Sequence, residues 1–524
     1  MKKIYLLPLY LIFSGFVASA QKGYDIKINF KACKDSTVYL ARYFFDQLPV
    51  LDSCKHIKNG KIEFKGNMPL EKGVYFLANQ SRNSFYFQFI VNDNQNLNIS
   101  LDGSNIVQTL KCGPDDKLNE QFFSYVMYMT QKNLDVNKIL EQTKGKSKAD
   151  SIKFVSEKQK MMNEEITKYD ADFMLKNKGN FVSDLMNLKS EKYPTKTPLA
   201  SNGRPDSTYQ YYYYRNHFFE GVNFKDDRIL YTPFFADRIK RYYDQVIPQH
   251  PDSVIKELDR ILKQCTPGSN VFNTLIGHFT YKYETNKAMS FDIFGNCNTF
   301  EKVFVHLASN YIINGQTNGY YSDETVGKIR DRINILKNLL PGAKVADFVA
   351  IDTTDGKKVL NMGFDTAKTS AGATYLYTKN IDKLQSMFKH LYDVKAKYTL
   401  LVFWAADCGH CQTEIPKLNE ELKEIKGKID FKVFAVQTKE ELFTTWKKFV
   451  VEKNLSDFIN VFDPIHLNNL KETFDIQGTP VIYLLDKDKK IKGKKIASDQ
   501  AVSIIKKLEE IEINLKTNNS SKQQ

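Results

Sequence analysis

The chain has 524 residues, a hydrophobic fraction of 42%, an aromatic fraction of 13% and a formal net charge of +14. Its length exceeds what a single hydrophobic core usually serves, and its apolar content excludes disorder over most of it. The basic excess is spread along the chain rather than gathered into a patch, so no nucleic-acid partner is implied. The seven cysteines are too few for a disulfide-built scaffold, and their odd number leaves at least one without an intrachain partner.

Residues 1–20 follow the secretory pattern. Lys2 and Lys3 precede an apolar run from Ile4 to Val17, and Ala18-Ser19-Ala20 supplies small residues at the cleavage site. The run is short for a membrane span, and no cysteine follows the cleavage site to accept a lipid. The expectation is a soluble, periplasmic protein beginning at Gln21, in a compartment where disulfides persist.

Residues 21–112 predict a small all-β domain. Short alternating runs cover Tyr24 to Phe30, Val38 to Phe44, Lys61 to Lys65, Val74 to Leu77, Phe85 to Val91 and Leu97 to Leu101, with turn residues such as Asn59-Gly60 between them. Six strands in this length suggest a sandwich or open barrel.

Residues 113–340 predict a mostly helical domain. Phe122, Phe123, Val126 and Met129 recur at helical spacing, and the stretch from 150 to 178 continues the pattern. A polar loop over 190–208 leads into Tyr211 to Tyr214, which reads as a helix face docked on a core rather than a ligand site. Val254 to Leu262 and Val326 to Leu340 add helices, and Pro341-Gly342 marks the boundary.

Residues 341–515 predict an α/β domain, with a polar tail over 516–524. Val345 to Ile351 and Val359 to Met362 read as a hairpin about Asp355-Gly356, and a helix is expected near Ile381 to Leu391. Thr399 to Trp404 and Phe431 to Val436 are continuous apolar runs, as in buried strands. The helices Gln412 to Lys426, Leu442 to Val451 and Gln500 to Leu515 alternate with them, and Val481 to Leu485 and Lys490 to Lys494 are two further strands.

Between the first buried strand and its helix stands Cys408-Gly409-His410-Cys411. With no second CxxC or histidine pair in the chain, a zinc site is disfavoured and no metal or cofactor is expected. The placement instead puts Cys408 at a helix N-terminus, where free backbone N–H groups and the helix dipole stabilise a thiolate. Cys411 falls one turn inside and is more sheltered. An exposed attacking thiolate beside a buried resolving thiol is what thiol–disulfide exchange requires.

On Phe403-Trp404-Ala405, the CxxC, Glu414-Ile415-Pro416 and Gly478-Thr479-Pro480, the last third of the chain resembles the thioredoxin superfamily, specifically its extracytoplasmic TlpA-like branch. The resemblance implies an exported thiol–disulfide oxidoreductase acting on protein thiols and disulfides, with a soluble or membrane-bound redox partner. It implies a cis peptide at Pro480, with Thr479, Pro480 and Trp404 at the substrate side. Glu414 would accept the proton of Cys411, because Val402 replaces the buried aspartate of thioredoxin itself. The Gly-His dipeptide is similar to that of protein disulfide isomerase, and a protonated His410 would favour the Cys408 thiolate. Asp407, where most relatives carry tryptophan, would oppose it.

Two other functional classes fit less of the sequence. A thiol peroxidase would need a Pro-x-x-x-Thr-x-x-Cys context that Cys408 lacks. A redox-inactive adaptor working through the first 340 residues would leave the CxxC, glutamate and proline set unexplained. Cys33 with Cys54, and Cys265 with Cys297, are pairings the sequence leaves open beside buried free thiols.

Overall fold

The computed structural model describes residues 23–286, 288–367 and 369–520; the export signal read over 1–20 lies outside them. The chain is multidomain: an N-terminal all-β domain, a central helical region and a C-terminal α/β domain. It gathers into two compact units, one over 1–249 and 256–275, the other over 250–255 and 276–524, so the helical region is divided between them.

In the first unit, eight strands form two four-stranded sheets. They are β1 (Tyr24–Lys31), β2 (Thr37–Arg42), β3 (Val50–Lys55), β4 (Lys61–Gly66), β5 (Gly73–Ala78), β6 (Phe85–Val91), β7 (Asn96–Asp102) and β8 (Lys111–Cys112). The sheet orders are β4-β1-β7-β8 and β3-β2-β5-β6. Ile26, Ile28 and Phe30 of β1 point inward while Lys27, Asn29 and Lys31 face solvent, as period-two alternation dictates. All six runs read from the sequence are strands. β3 and β8 are added at sheet edges, where polar residues such as Asp52 and Ser53 hide the alternation. Phe122 and Phe123 from the helix Lys117–Glu141, with Phe181, Val182 and Leu185 from the helix Phe181–Lys189, join the same core. The tyrosine run lies in the helix Ser207–His217, with Tyr212 51% exposed, so that face is only partly docked.

In the second unit, β9 (Met289–Phe291) and β10 (Cys297–Thr299) form a hairpin. Seven further strands build the main sheet: β11 (Val349–Asp352), β12 (Phe388–His390), β13 (Tyr398–Trp404), β14 (Phe431–Gln437), β15 (Ile459–Phe462), β16 (Val481–Asp486) and β17 (Ile491–Lys494). Their order is β12-β11-β15-β14-β13-β16-β17. β13 lies inside the sheet between β14, to which it is parallel, and β16, to which it is antiparallel, and all seven of its residues are buried. Each face carries its own core, one around Trp404, Cys411, Ile415 and Trp446, the other around Phe403, Phe434, Phe474 and Tyr483.

Two sequence readings are corrected here. The expected hairpin over 345–362 is a single strand, β11, followed by helical turns over Gly356–Val359 and Leu360–Phe364; β11 pairs with β12 and β15 instead. A Cβ on Gly356 would stand 2.4 Å from Phe443 Cε2, so the turn owes its position to close packing. The helix expected near 381–391 is Ser370–Gln385, and Phe388–His390 is β12. β15, only four residues long, was not read from the sequence.

Candidate active site

The register of the central strands assembles the site. β13 runs out at Trp404, and Phe403 pairs with Val481 of β16, so the Thr479-Pro480 turn before β16 stands beside the loop after β13. The Thr479–Pro480 peptide is cis. Cys408 caps the helix Gly409–Leu422 with extended backbone angles (φ −81°, ψ 117°), which leaves the first N–H groups of the helix free to face its sulfur.

Cys408 is half-buried, and its Sγ lies 3.3 Å from the carbonyl oxygen of Thr479. Burial alone would raise its pKa. Hydrogen bonds from the Thr479 side chain, from the Cys411 side chain and from the backbone N–H groups of Cys411 and His410 outweigh that, and the thiol sits below its ordinary value. Cys411, fully buried, is the opposite case: burial pushes its thiol up to about 12 against a backbone hydrogen bond at Ala405. Both cysteines are free thiols.

The other predicted residues fall into place unevenly. His410 contributes through its backbone N–H, and its side chain is exposed. Glu414 is half-buried on the same helix, and its carboxylate accepts a hydrogen bond from Ser498 Oγ. Thr479 and Pro480 are half-buried beside Cys408. Val402 is fully buried in β13. Trp404 has no exposed surface; its ring packs 5.5 Å from that of Phe449, so the substrate-contact role expected of it is corrected to a core role.

Asp407 is exposed beside Cys408. Its carboxylate is 2.5 Å from Lys439 Nζ, in an exposed ion pair at the rim of the site. The pair brings a cation beside the anion, and Cys408 in turn helps raise the Lys439 pKa, after the Asp407 hydrogen bond and charge. Lys439 and Ser498 are site residues that the sequence reading missed, because no spacing rule links them to a motif 30 to 90 positions away. Among the described residues no group of three or more histidine, cysteine or carboxylate side chains could hold a metal ion, and no helix is long and apolar enough to cross a membrane.

The model of the AhpC/TSA family matches residues 382–494, which span β12 to β17 and the CxxC. The C-terminal domain belongs to this family. At the family level the AhpC/TSA domain is a thioredoxin-like redox domain. A second model, a domain of unknown function (DUF4369), matches residues 24–119, the β domain and its first helical turn. Among solved structures, the chain is similar to a domain of a possible thiol-disulfide isomerase from Cytophaga hutchinsonii, at 32% identity over 34% of this chain and 95% of that one, with a TM-score of 0.25. It is similar to the thioredoxin domain of a thiol-disulfide oxidoreductase from Bacteroides vulgatus, at 24% identity over 32% of this chain and 95% of that one, TM-score 0.24. A thioredoxin-like protein from Bacteroides caccae aligns over 60% of this chain and 98% of its own, at 15% identity and a TM-score of 0.40. No curated protein matches the chain.

Proposed function

We propose that the protein is an exported thiol–disulfide oxidoreductase that exchanges disulfides with protein substrates through Cys408 and Cys411. The observation that carries this reading is the opposition of the two thiols: Cys408 lowered at a helix N-terminus, Cys411 buried one turn on and raised to about 12. The Cys408 thiolate attacks one sulfur of a substrate disulfide. The substrate S–S bond breaks, a mixed disulfide forms, and the first substrate thiolate leaves and takes a proton from water. Cys411 then gives its proton to the Glu414 carboxylate and attacks Cys408 Sγ. The mixed disulfide breaks, the second substrate sulfur leaves as a thiolate and takes the proton held by Glu414, and two electrons have passed to the substrate while Cys408 and Cys411 become a disulfide. The reverse sequence oxidises a substrate dithiol. A redox partner, soluble or membrane-bound, restores the starting state and sets the net direction.

Thr479 stands where an extended substrate strand would lie against the site, with its backbone as a pairing edge and Pro480 as the wall behind. Export rests on the leader pattern of residues 1–20 and places the reaction in the periplasm. A thiol peroxidase is the second reading, favoured by the AhpC/TSA family match. Insulin reduction by the purified mature chain, with Cys411→Ser used to trap the mixed disulfide on Cys408, tests the proposal. Peroxide consumption in the absence of exchange activity would transfer it to the second reading.

A further inference from the structure

Asp475 is a carboxylate without solvent exposure, four residues before Thr479. A buried charge is tolerated only when it is paired and hydrogen-bonded. Arg332 Nη1 donates to one carboxylate oxygen and Lys495 Nζ to the other, and Gln477 Nε2 donates to the first at 3.2 Å. Burial would raise the Asp475 pKa, but these bonds hold it well below the usual carboxylate range. Asp475 is also in the left-handed backbone region, at φ 50°, where the chain turns toward Thr479.

Arg332 is foreign to the thioredoxin-like domain. It belongs to the helix Asp323–Leu336, outside the stretch matched by the AhpC/TSA family. Its Nε lies 3.8 Å from Glu284, another residue of the helical region. A second buried pair of the same kind, Glu301 with Lys494 of β17, ties the helix Glu301–Leu307 to the edge of the main sheet. Three carboxylates (Asp475, Glu301, Glu284) thus stand against three cations (Arg332, Lys494, Lys495), each set drawn from both sides of the junction. The path from Arg332 to the chemistry is short: Asp475, Gln477, then the Thr479 carbonyl at 3.3 Å from Cys408 Sγ.

We propose that Arg332 is a positioning residue of the redox site: it fixes the turn from Asp475 to Pro480, and so Thr479 beside Cys408, from the helical segment that precedes the thioredoxin-like domain. The proposal rests on the disulfide-exchange reading above, and the segment from 276 to 340 is then part of the redox unit rather than a separate accessory. The test uses the full mature chain with Arg332→Met and Arg332→Lys, and follows two quantities: the pH midpoint of Cys408 alkylation, read by mass spectrometry of its peptide, and KM against kcat for insulin reduction. Arg332→Met should move the midpoint upward and raise KM several-fold at little changed kcat, with Arg332→Lys restoring both. A midpoint and KM equal to wild type in folded Arg332→Met, whatever its melting temperature, would overturn the proposal. Should Arg332→Met fail to fold, Asp475→Asn reads the same contact from the other side, with the same two outcomes. An alkylation shift in a protein that reduces no disulfide would uphold the positioning role and sink the exchange reading, so the two failures are separable.

Discussion

Both compact units contain cysteines, yet only one holds a thiol set up to react. In the first unit, burial raises the Cys33 pKa, pushes Cys112 up to about 11 and Cys265 up to about 12. In the second unit Cys297 and Cys411 behave the same way, both at about 12. Cys408 alone is lowered, and the difference is where it sits: at the end of a buried strand, capping a helix whose N–H groups reach its sulfur. The lowered thiol is a property of one strand–helix junction and not of cysteine content.

Removing the nucleophile should have the largest effect. Cys408→Ser should cut disulfide exchange by at least about 10³-fold, while serine at Cys33, Cys54, Cys112, Cys265 or Cys297 leaves the rate unchanged; a stopped assay of insulin reduction decides it. Next in size is Glu414→Gln. With the proton acceptor gone, release of the mixed disulfide should slow by roughly 10²-fold at neutral pH and lose its dependence on a carboxylate ionisation. If the rate–pH profile of resolution matches wild type, Glu414 is a surface carboxylate held by Ser498 and nothing more.

A third test sharpens the thiol contrast by pH. Cys265, Cys297 and Cys411 have folded pKa values raised above that of an unfolded thiol, about 8.5. Their contribution to stability is therefore complete below that pH and is lost as pH rises toward about 12. Alkylation at neutral pH should mark Cys408 first and spare these three, and the melting temperature should fall on passing above pH 9. The smallest effect is expected from Asp407→Asn, which removes an anion near the thiolate and should lower the alkylation midpoint of Cys408 by roughly half a pH unit, since the exposed Lys439 pair already screens that charge. A rise in the midpoint would contradict the like-charge argument.

The fold was legible wherever burial alone decides secondary structure. Tyr24 to Phe30 shows its alternation and Thr399 to Trp404 its continuous apolar run, because one faces a core on one side and the other on both. What escaped was short or set by tertiary contact. β15 has four residues, and the turn at Gly356 is dictated by Phe443 packing on it. The site divides the same way. Cys408, Cys411, Thr479, Pro480 and Glu414 carry a spacing that can be read. Lys439, Ser498, Arg332 and Asp475 reach the site through the register of the sheet and through a helix far upstream, which no local pattern encodes. For Trp404 the motif gives the identity of the residue but not the side of the sheet on which its ring is buried.

On the proposed function, Cys408 and Cys411 form one two-electron redox centre. A titration of the purified chain in glutathione buffers of varied ratio, with the oxidised fraction read by alkylation and mass spectrometry, tests it directly. A single transition is expected in which Cys408 and Cys411 protect each other, with tenfold steps in the equilibrium constant spaced by about 30 mV, and it disappears in Cys408→Ser. Independent oxidation of the two sulfurs, or no disulfide between them at any potential, would contradict it.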